Sequence, residues 1–145
     1  MICIFIFTII SIICFRYVQC TRWEELTDAL RFHANLAHEA GAPTEFRLLN
    51  GHKSIRVGTT DPQENRNLSE LLSSFDKSPG GRTPLCKHIH EITEKIARMK
   101  TQLLNAGQKA CVIIATDGES SDGDIVAAMQ RLRTLPVWVV SNYKS

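Results

Sequence analysis

An aspartate follows an apolar stretch in the last third of the chain. Residues 112–115 read Val-Ile-Ile-Ala, a run typical of a strand that is covered on both faces, as in a parallel sheet. Thr116, Asp117 and Gly118 come directly after it. Open α/β sheets hold their ligands at the carboxyl ends of the strands, so the sequence places a carboxylate where a cation or a phosphate-bearing group binds. Ordinary turn chemistry is the other explanation of an Asp-Gly pair.

A hydroxyl precedes the longest helical pattern in the chain. Residues 78–84 (Ser-Pro-Gly-Gly-Arg-Thr-Pro) form a predicted loop, and Pro84 fits the first position of a helix, where its missing N–H costs nothing. In a doubly wound sheet, Thr83 and Asp117 can open on the same crevice. A hydroxyl and a carboxylate are hard oxygen ligands of the kind that Mg²⁺ takes, with waters at the remaining positions. Thr83 is also a good N-cap residue, and capping alone also explains its position.

The cysteines indicate neither a metal site nor a disulfide framework, because their spacing fits neither pattern. Cys86, His88 and His90 are zinc-ligating residue types that lie close together in the sequence. On a helix, however, positions 86 and 90 share a face while position 88 points nearly opposite. The three side chains therefore cannot hold one zinc ion.

Composition narrows the classes of partner. The chain has 145 residues, of which 43% are hydrophobic and 22% are charged, as expected of one globular domain with its own core. Its 17 basic and 15 acidic residues give a net charge of +2, and the basic residues are scattered rather than clustered. We therefore expect neither a nucleic-acid partner nor a membrane partner.

The first twenty residues form a segment of their own. Residues 2–15 are almost wholly apolar and are followed by Arg16. Three interpretations stay open. The first is a secretory signal cleaved before Thr21, although no Lys or Arg precedes the apolar run. The second is a substitute for the first, buried strand, although the run is long for one. The third is a misjoined or incomplete sequence. The predicted organisation is therefore an apolar segment over 1–20 and one partial domain over 21–145, secreted if the first interpretation holds.

Helical and strand patterns alternate along the rest of the chain. Apolar residues at helical spacing predict helices from Thr21 to about 40, from Asn67 to 75, from 84 to 105 and from 124 to 133. Strands are predicted over 44–49, 54–57, 110–116 and 136–140. The turn at Asn50 and Gly51 is too short for a crossover, which makes 54–57 an antiparallel edge strand, and the polar run 58–67 is a predicted loop. The alternation predicts an α/β fold with a doubly wound, mainly parallel sheet and helices on both faces.

Four segments, in this order, resemble the von Willebrand factor type A domain. They are 21–26 (Thr-Arg-Trp-Glu-Glu-Leu), 45–51 (Glu-Phe-Arg-Leu-Leu-Asn-Gly), 80–85 (Gly-Gly-Arg-Thr-Pro-Leu) and 112–119 (Val-Ile-Ile-Ala-Thr-Asp-Gly-Glu). The pair formed by the last two segments, separated by one long helix, is the more specific signal. The chain is most similar to the stand-alone intracellular-type branch of the family, over about residues 21–141. The resemblance implies a Rossmann-like fold, truncated at both ends, and a cytoplasmic location.

The resemblance also implies a metal site. The family binds Mg²⁺ or Mn²⁺ at a metal-ion-dependent adhesion site, where an acidic side chain of a protein partner completes the coordination. By resemblance, Thr83 is the ligand from the second loop and Asp117 is the carboxylate of the third. The first loop of the family carries Asp-x-Ser-x-Ser, whereas residues 16–20 of this chain read Arg-Tyr-Val-Gln-Cys. Because Mg²⁺ sheds water reluctantly, we expect weak metal binding or none.

Three functions are compatible with these residues. The leading hypothesis is a protein-interaction module of this family, not an enzyme, with a metal site that lacks its first-loop ligands. A second is a Mg²⁺-dependent phosphoryl-transfer or hydrolytic enzyme in which Asp117 is a ligand or nucleophile and residues 78–83 cradle phosphate. That alternative lacks both the Gly-Lys-Ser/Thr of a phosphate loop and the Gly-x-Ser-x-Gly of a hydrolase. The third is an inactive, truncated remnant.

Overall fold

Strands and helices alternate along most of the chain. The computed structural model describes residues 2–7, 22–50, 54–76, 81–116 and 119–142. The elements in these ranges are β1 (Ile2–Phe7), α1 (Arg22–Glu39), β2 (Thr44–Leu48), β3 (Ile55–Val57), α2 (Glu64–Ser74), α3 (Leu85–Asn105), β4 (Ala110–Ala115), α4 (Ile125–Arg133) and β5 (Val137–Asn142).

The strands pair in the order β3-β2-β1-β4-β5. β1 pairs in parallel with β2 on one side and with β4 on the other, and β5 runs parallel to β4. β3 is antiparallel to β2, and their register sets Arg56 opposite Glu45. The described residues therefore form a mixed α/β structure.

Two hydrophobic clusters meet at β4 from opposite sides. Ala110, Val112 and Ile114 are buried in a cluster that also contains residues of α3 and α4. Ile113 and Ala115 pack against the other cluster, which is built from α1, α2, β2 and β3. Because successive side chains of a strand point to opposite faces, helices cover both faces of β4. This explains why its sequence is continuously apolar.

α3 is the longest described helix and follows the predicted apolar spacing. Its apolar residues recur at steps of three and four. Five of them are buried, namely Leu85, Ile89, Ile92, Ile96 and Leu103, and Met99 is partly buried against the same cluster. The helix ends in a Schellman motif: the Gly107 N–H donates to the Leu104 carbonyl at 3.1 Å and the Gln108 N–H to the Leu103 carbonyl at 2.8 Å. Gly107 has φ +61°, a conformation that glycine adopts without strain.

The predicted strands are confirmed within two residues at each end. β3 is the antiparallel edge strand that the short turn after β2 required. β4 lies inside the sheet, next to β1, as predicted for a strand that is apolar throughout. Residues 2–7 form the central strand, which agrees with the strand interpretation for that part of the apolar run, and residues 8–21 lie outside the described ranges.

The start of α2 corrects one prediction. The helix begins at Glu64 rather than at Asn67, inside the run that we predicted as a loop. The Glu64 carboxylate accepts hydrogen bonds from the Gly58 N–H, from the Thr59 N–H at 3.3 Å and from the Thr59 hydroxyl at 2.9 Å. These bonds tie the preceding turn to the first residue of the helix, so a polar sequence is helical here.

Among the helices described, none is both long and apolar enough to cross a membrane.

Candidate functional site

Thr83 lies where two loops meet, at the end of the sheet at which the parallel strands terminate. Thr83 is buried, with only 3% of the residue exposed. The Thr83 carbonyl accepts hydrogen bonds from the Leu85 N–H at 2.8 Å and from the Ser121 N–H at 2.9 Å. Ser121 belongs to the loop that follows β4. The segment before α3 and the segment after β4 are therefore joined directly; we call residues 81–84 together with 119–124 the loop junction.

The carboxylate of Asp122 caps α3. Its Oδ1 accepts from the Cys86 N–H at 3.0 Å and its Oδ2 from the Lys87 N–H at 2.8 Å. The N-cap position belongs to Pro84, one residue before the helix, and Pro84 has no side-chain hydrogen bond to offer. This corrects two predictions, because we placed Pro84 at the first helical position and gave Thr83 the capping role as an alternative. The cap comes instead from a residue distant in sequence.

Ser120 helps to hold Asp122 in this position. The Ser120 hydroxyl donates to Asp122 Oδ1 at 2.8 Å, and Ser120 Oγ also lies 3.3 Å from the buried Cys86 sulfur. Burial raises the pKa of the Asp122 carboxyl, but the hydrogen bonds from Lys87, Ser120 and Cys86 outweigh it and leave the pKa below its usual value. Asp122 is therefore ionised at neutral pH, where a helix N-terminus favours negative charge.

His88 lies in the second turn of α3, beside the end of β2. Its Nε2 is 3.2 Å from the Leu49 carbonyl, and because a carbonyl can only accept, Nε2 carries the proton. Nδ1 is buried and has no hydrogen-bond partner among the residues that the structure describes. Burial lowers the pKa of His88, against the opposing effect of the Leu49 carbonyl. The imidazole is therefore neutral at pH 7.

The metal ligands implied by the resemblance are only partly within the described ranges. Thr83 is at the loop junction, whereas Asp117 and the first-loop segment 16–20 lie outside the described residues. In the described ranges, no group of three or more His, Cys, Asp or Glu side chains is arranged to hold a metal ion. Asp122, a carboxylate of the loop junction, already accepts hydrogen bonds from two backbone N–H groups and a hydroxyl. The described residues at the loop junction therefore do not by themselves fit a divalent cation, which needs several available oxygens.

A second group of ionisable side chains lies on the same side of the sheet as α3, beside β2 and β3. These side chains line an open groove of about 520 Å³, which we call the Glu45 groove; its lining residues are Glu45, Arg47, Ser54, Arg56, Glu91, Glu94, Lys95 and Arg98. Glu45 itself is 3% exposed. A buried carboxylate is tolerated only where it is paired.

Three cations converge on Glu45. Arg47 Nε is 2.6 Å from Oε1, Arg56 Nε is 3.4 Å from Oε2, and Lys95 Nζ also contacts Oε2. Burial raises the pKa of Glu45, but the hydrogen bonds and charges of Lys95 and Arg47 outweigh it and hold the pKa below its usual value. Arg47 uses its Nη1 to reach Glu91 Oε2 at 2.7 Å, which links the strand to α3.

No protein-family model matches the chain, and no curated protein matches it significantly. The geometry of the described residues and the resemblance carried by their motifs are therefore the grounds for any functional proposal.

Sequence reasoning missed both Asp122 and the Glu45 groove. The groove has a signal in the sequence: charged residues occupy alternate positions of a predicted strand, at Glu45 and Arg47, and recur at helical spacing at Glu91, Lys95 and Arg98. Asp122 has a weaker one, because the run 117–124 contains several acidic residues of which any could cap a helix. Only the fold shows which of them reaches α3.

Proposed function

We propose that this chain is a von Willebrand factor type A-like protein-interaction module that acts through binding rather than catalysis. The observation that supports it best is the loop junction, where the segment carrying Thr83 is joined to the segment after β4 through the Ser121 N–H. In the family, these are two of the three loops that supply ligands to the metal site. The partner implied by the resemblance is a protein that presents an acidic side chain.

The proposed module also has a specific type of sheet. We infer a doubly wound sheet of the Rossmann-like type A kind, incomplete in this chain. Support comes from the strand order, in which the chain moves from β1 to β2 and β3 on one side and then to β4 and β5 on the other. In such sheets the ligand crevice lies where the direction of winding reverses, which here is between β1 and β4.

The metal site of the proposed module lacks its first-loop ligands. Thr83 supplies one hydroxyl, and the sequence adds Asp117 as one carboxylate, with Arg16 where the family has a ligand. A single carboxylate and a hydroxyl replace little of the hydration shell of Mg²⁺. We therefore propose that this chain binds Mg²⁺ or Mn²⁺ weakly or not at all.

An enzyme is the less favoured alternative. Two of the three carboxylates that the described residues offer at the loop junction cap helices: Asp122 accepts hydrogen bonds from Cys86, Lys87 and Ser120, and Asp124 accepts one from the Val126 N–H. A catalytic base needs a free lone pair within reach of its substrate. A phosphatase and nucleotidase screen with added Mg²⁺ tests this alternative directly, and we expect no turnover above that of a buffer blank.

Calorimetry with Mg²⁺ tests the proposed module. We expect millimolar or undetectable binding by the chain as it is, and measurable affinity after Asp-x-Ser-x-Ser replaces residues 16–20, since the graft adds hard oxygens and removes a positive charge. Asp117→Ala should abolish the affinity of the grafted chain, whereas Glu119→Ala, two residues away on the same loop, should not. If the graft creates no affinity, or if Asp117→Ala leaves it intact, the assignment of these loops to the family is wrong.

A further inference from the structure

The carboxylates of the Glu45 groove are already paired within the fold. Glu45 is held by Arg47, Arg56 and Lys95, and Glu91 by Arg47. Glu94 is held from outside the groove, because Arg131 of α4 lies with Nη2 2.6 Å from Glu94 Oε1. None of the three carboxylates therefore remains free to neutralise a further cation.

The cations of the groove are in excess. Four cations and three carboxylates line it, and Arg131, which pairs with Glu94, raises the excess to two positive charges. Arg98 makes no ion pair within the described part of the chain, and Arg56 has only the long contact at 3.4 Å, with a side chain that is 63% exposed. The buried Glu45 carboxylate carries one negative charge and contacts three cations. It therefore orients Lys95 and Arg56 without neutralising both of them.

The cations in excess come from two elements of the fold. Lys95 and Arg98 are three residues apart on α3, about 4.5 Å along the helix axis. Arg56 lies across from them on β3, the edge strand of the described sheet. Carboxylates on alternate residues of an extended peptide lie about 7 Å apart, so an acidic segment that runs beside β3 can present successive carboxylates to the cations of both elements.

We propose that the Glu45 groove binds an extended acidic segment of a protein partner, held by Arg56, Lys95 and Arg98 and running beside β3, the edge strand of the described sheet. Addition of a strand to a sheet edge supplies backbone hydrogen bonds, and the side chains that point into the groove supply specificity. The proposal depends on the proposed function only in taking the ligand to be a protein segment. It needs neither a metal ion nor the loop junction.

Fluorescence anisotropy with a labelled peptide of alternating glutamate and threonine tests the proposal on the full chain. At low salt, we expect Arg98→Gln or Arg56→Gln to weaken binding about threefold each, and the double variant about tenfold. Arg133→Gln removes the same charge from an exposed position on α4, outside the groove, and should have no effect. Arg98→Lys keeps the charge and should retain most of the affinity.

Four results would overturn the proposal. The first is equal weakening by Arg98→Gln and Arg133→Gln, which would mean that only the net charge attracts the peptide. The second is equal binding of a peptide with glutamine in place of glutamate. The third is competition by inorganic phosphate as strong as that by the peptide, which would make this a site for compact anions. Binding that is lost with EDTA or with Asp117→Ala would assign the peptide to a metal site instead, and would support the proposed function while contradicting this inference.

Discussion

The loop junction and the Glu45 groove each centre on a carboxylate with a lowered pKa, but the groups that lower it differ. At the loop junction, Asp122 receives two backbone N–H groups and one hydroxyl, all of them neutral donors. In the groove, Glu45 receives three cationic side chains. Neutral donors leave a negative charge that stabilises the N-terminus of α3. Cationic donors leave an excess of positive charge that faces solvent, and only this second arrangement is suited to attract an anionic ligand.

The largest effect should come from removing the charge of Glu45. Glu45→Gln keeps the shape but leaves Lys95, whose side chain is 25% exposed, without its counter-ion, and leaves Arg47, which is 13% exposed, with Glu91 alone. Breaking a buried pair costs about 3–5 kcal/mol, and because these cations keep some access to water we expect a loss of about 2–3 kcal/mol in the free energy of unfolding. Urea denaturation measures it.

A matched control lies on the rim of the same groove. Glu94→Gln removes the same charge from a side chain that is 47% exposed and pairs with an Arg131 side chain that is 62% exposed. Exposed pairs contribute little, so we expect a loss below about 1 kcal/mol. If the two variants are equally stable, burial does not set the cost of charge in this groove.

Capping by Asp122 should contribute less than pairing by Glu45. We expect Asp122→Ala to lower the free energy of unfolding by about 1–2 kcal/mol, because two N–H groups of α3 lose their acceptor. Asp124→Ala is the comparison, since Asp124 caps α4 through a single hydrogen bond from the Val126 N–H at 2.8 Å. It should cost about 1 kcal/mol or less. A larger loss for Asp124→Ala would contradict the assignment of Asp122 as the stronger cap.

Acid should reduce the losses of stability that Glu45→Gln and Asp122→Ala cause. The pKa values of Glu45 and Asp122 are lowered in the folded chain, so their stabilisation is fully present above the unfolded values, near 4, and is lost as pH falls through the folded values. The gap in stability between the unaltered chain and Glu45→Gln or Asp122→Ala should therefore narrow below about pH 4.

His88 should respond at higher pH. Its pKa is lowered by burial, so its favourable contribution is present above about 6.5 and is lost as pH falls below that value towards the folded pKa. Replacement by glutamine, which cannot ionise, should flatten the stability profile below about pH 6.5. Thermal unfolding across that range measures it, and an unchanged slope would mean that His88 is not the group responsible.

The sequence predicted the elements whose apolar residues repeat regularly. α3 and β4 were found because the periods of a helix and of a fully buried strand are explicit in their residues. The start of α2 was missed because it depends on hydrogen bonds that the Glu64 carboxylate accepts from Gly58 and Thr59 rather than on apolar spacing. The cap by Asp122 was missed because it joins residues 36 positions apart in the chain. The assignment of Asp117 as a metal ligand stays a prediction, since that residue lies outside the described ranges.

The smallest effect should come from Arg98, and it separates ligand binding from stability. Arg98 has no ion-pair partner within the described residues, and its neighbours along α3 include both Glu94, four residues earlier, and Lys95. Attraction to the first and repulsion from the second are each worth a few tenths of a kcal/mol, so Arg98→Gln should change the free energy of unfolding by less than about 0.5 kcal/mol. At 1 M NaCl, where the screening length is about 3 Å, even that difference should vanish. A variant that loses affinity for an acidic peptide while keeping its stability would show that the excess charge of the groove serves a ligand. A loss of more than about 1 kcal/mol would instead make Arg98 a part of the structural network around Glu45, because surface charges rarely contribute so much.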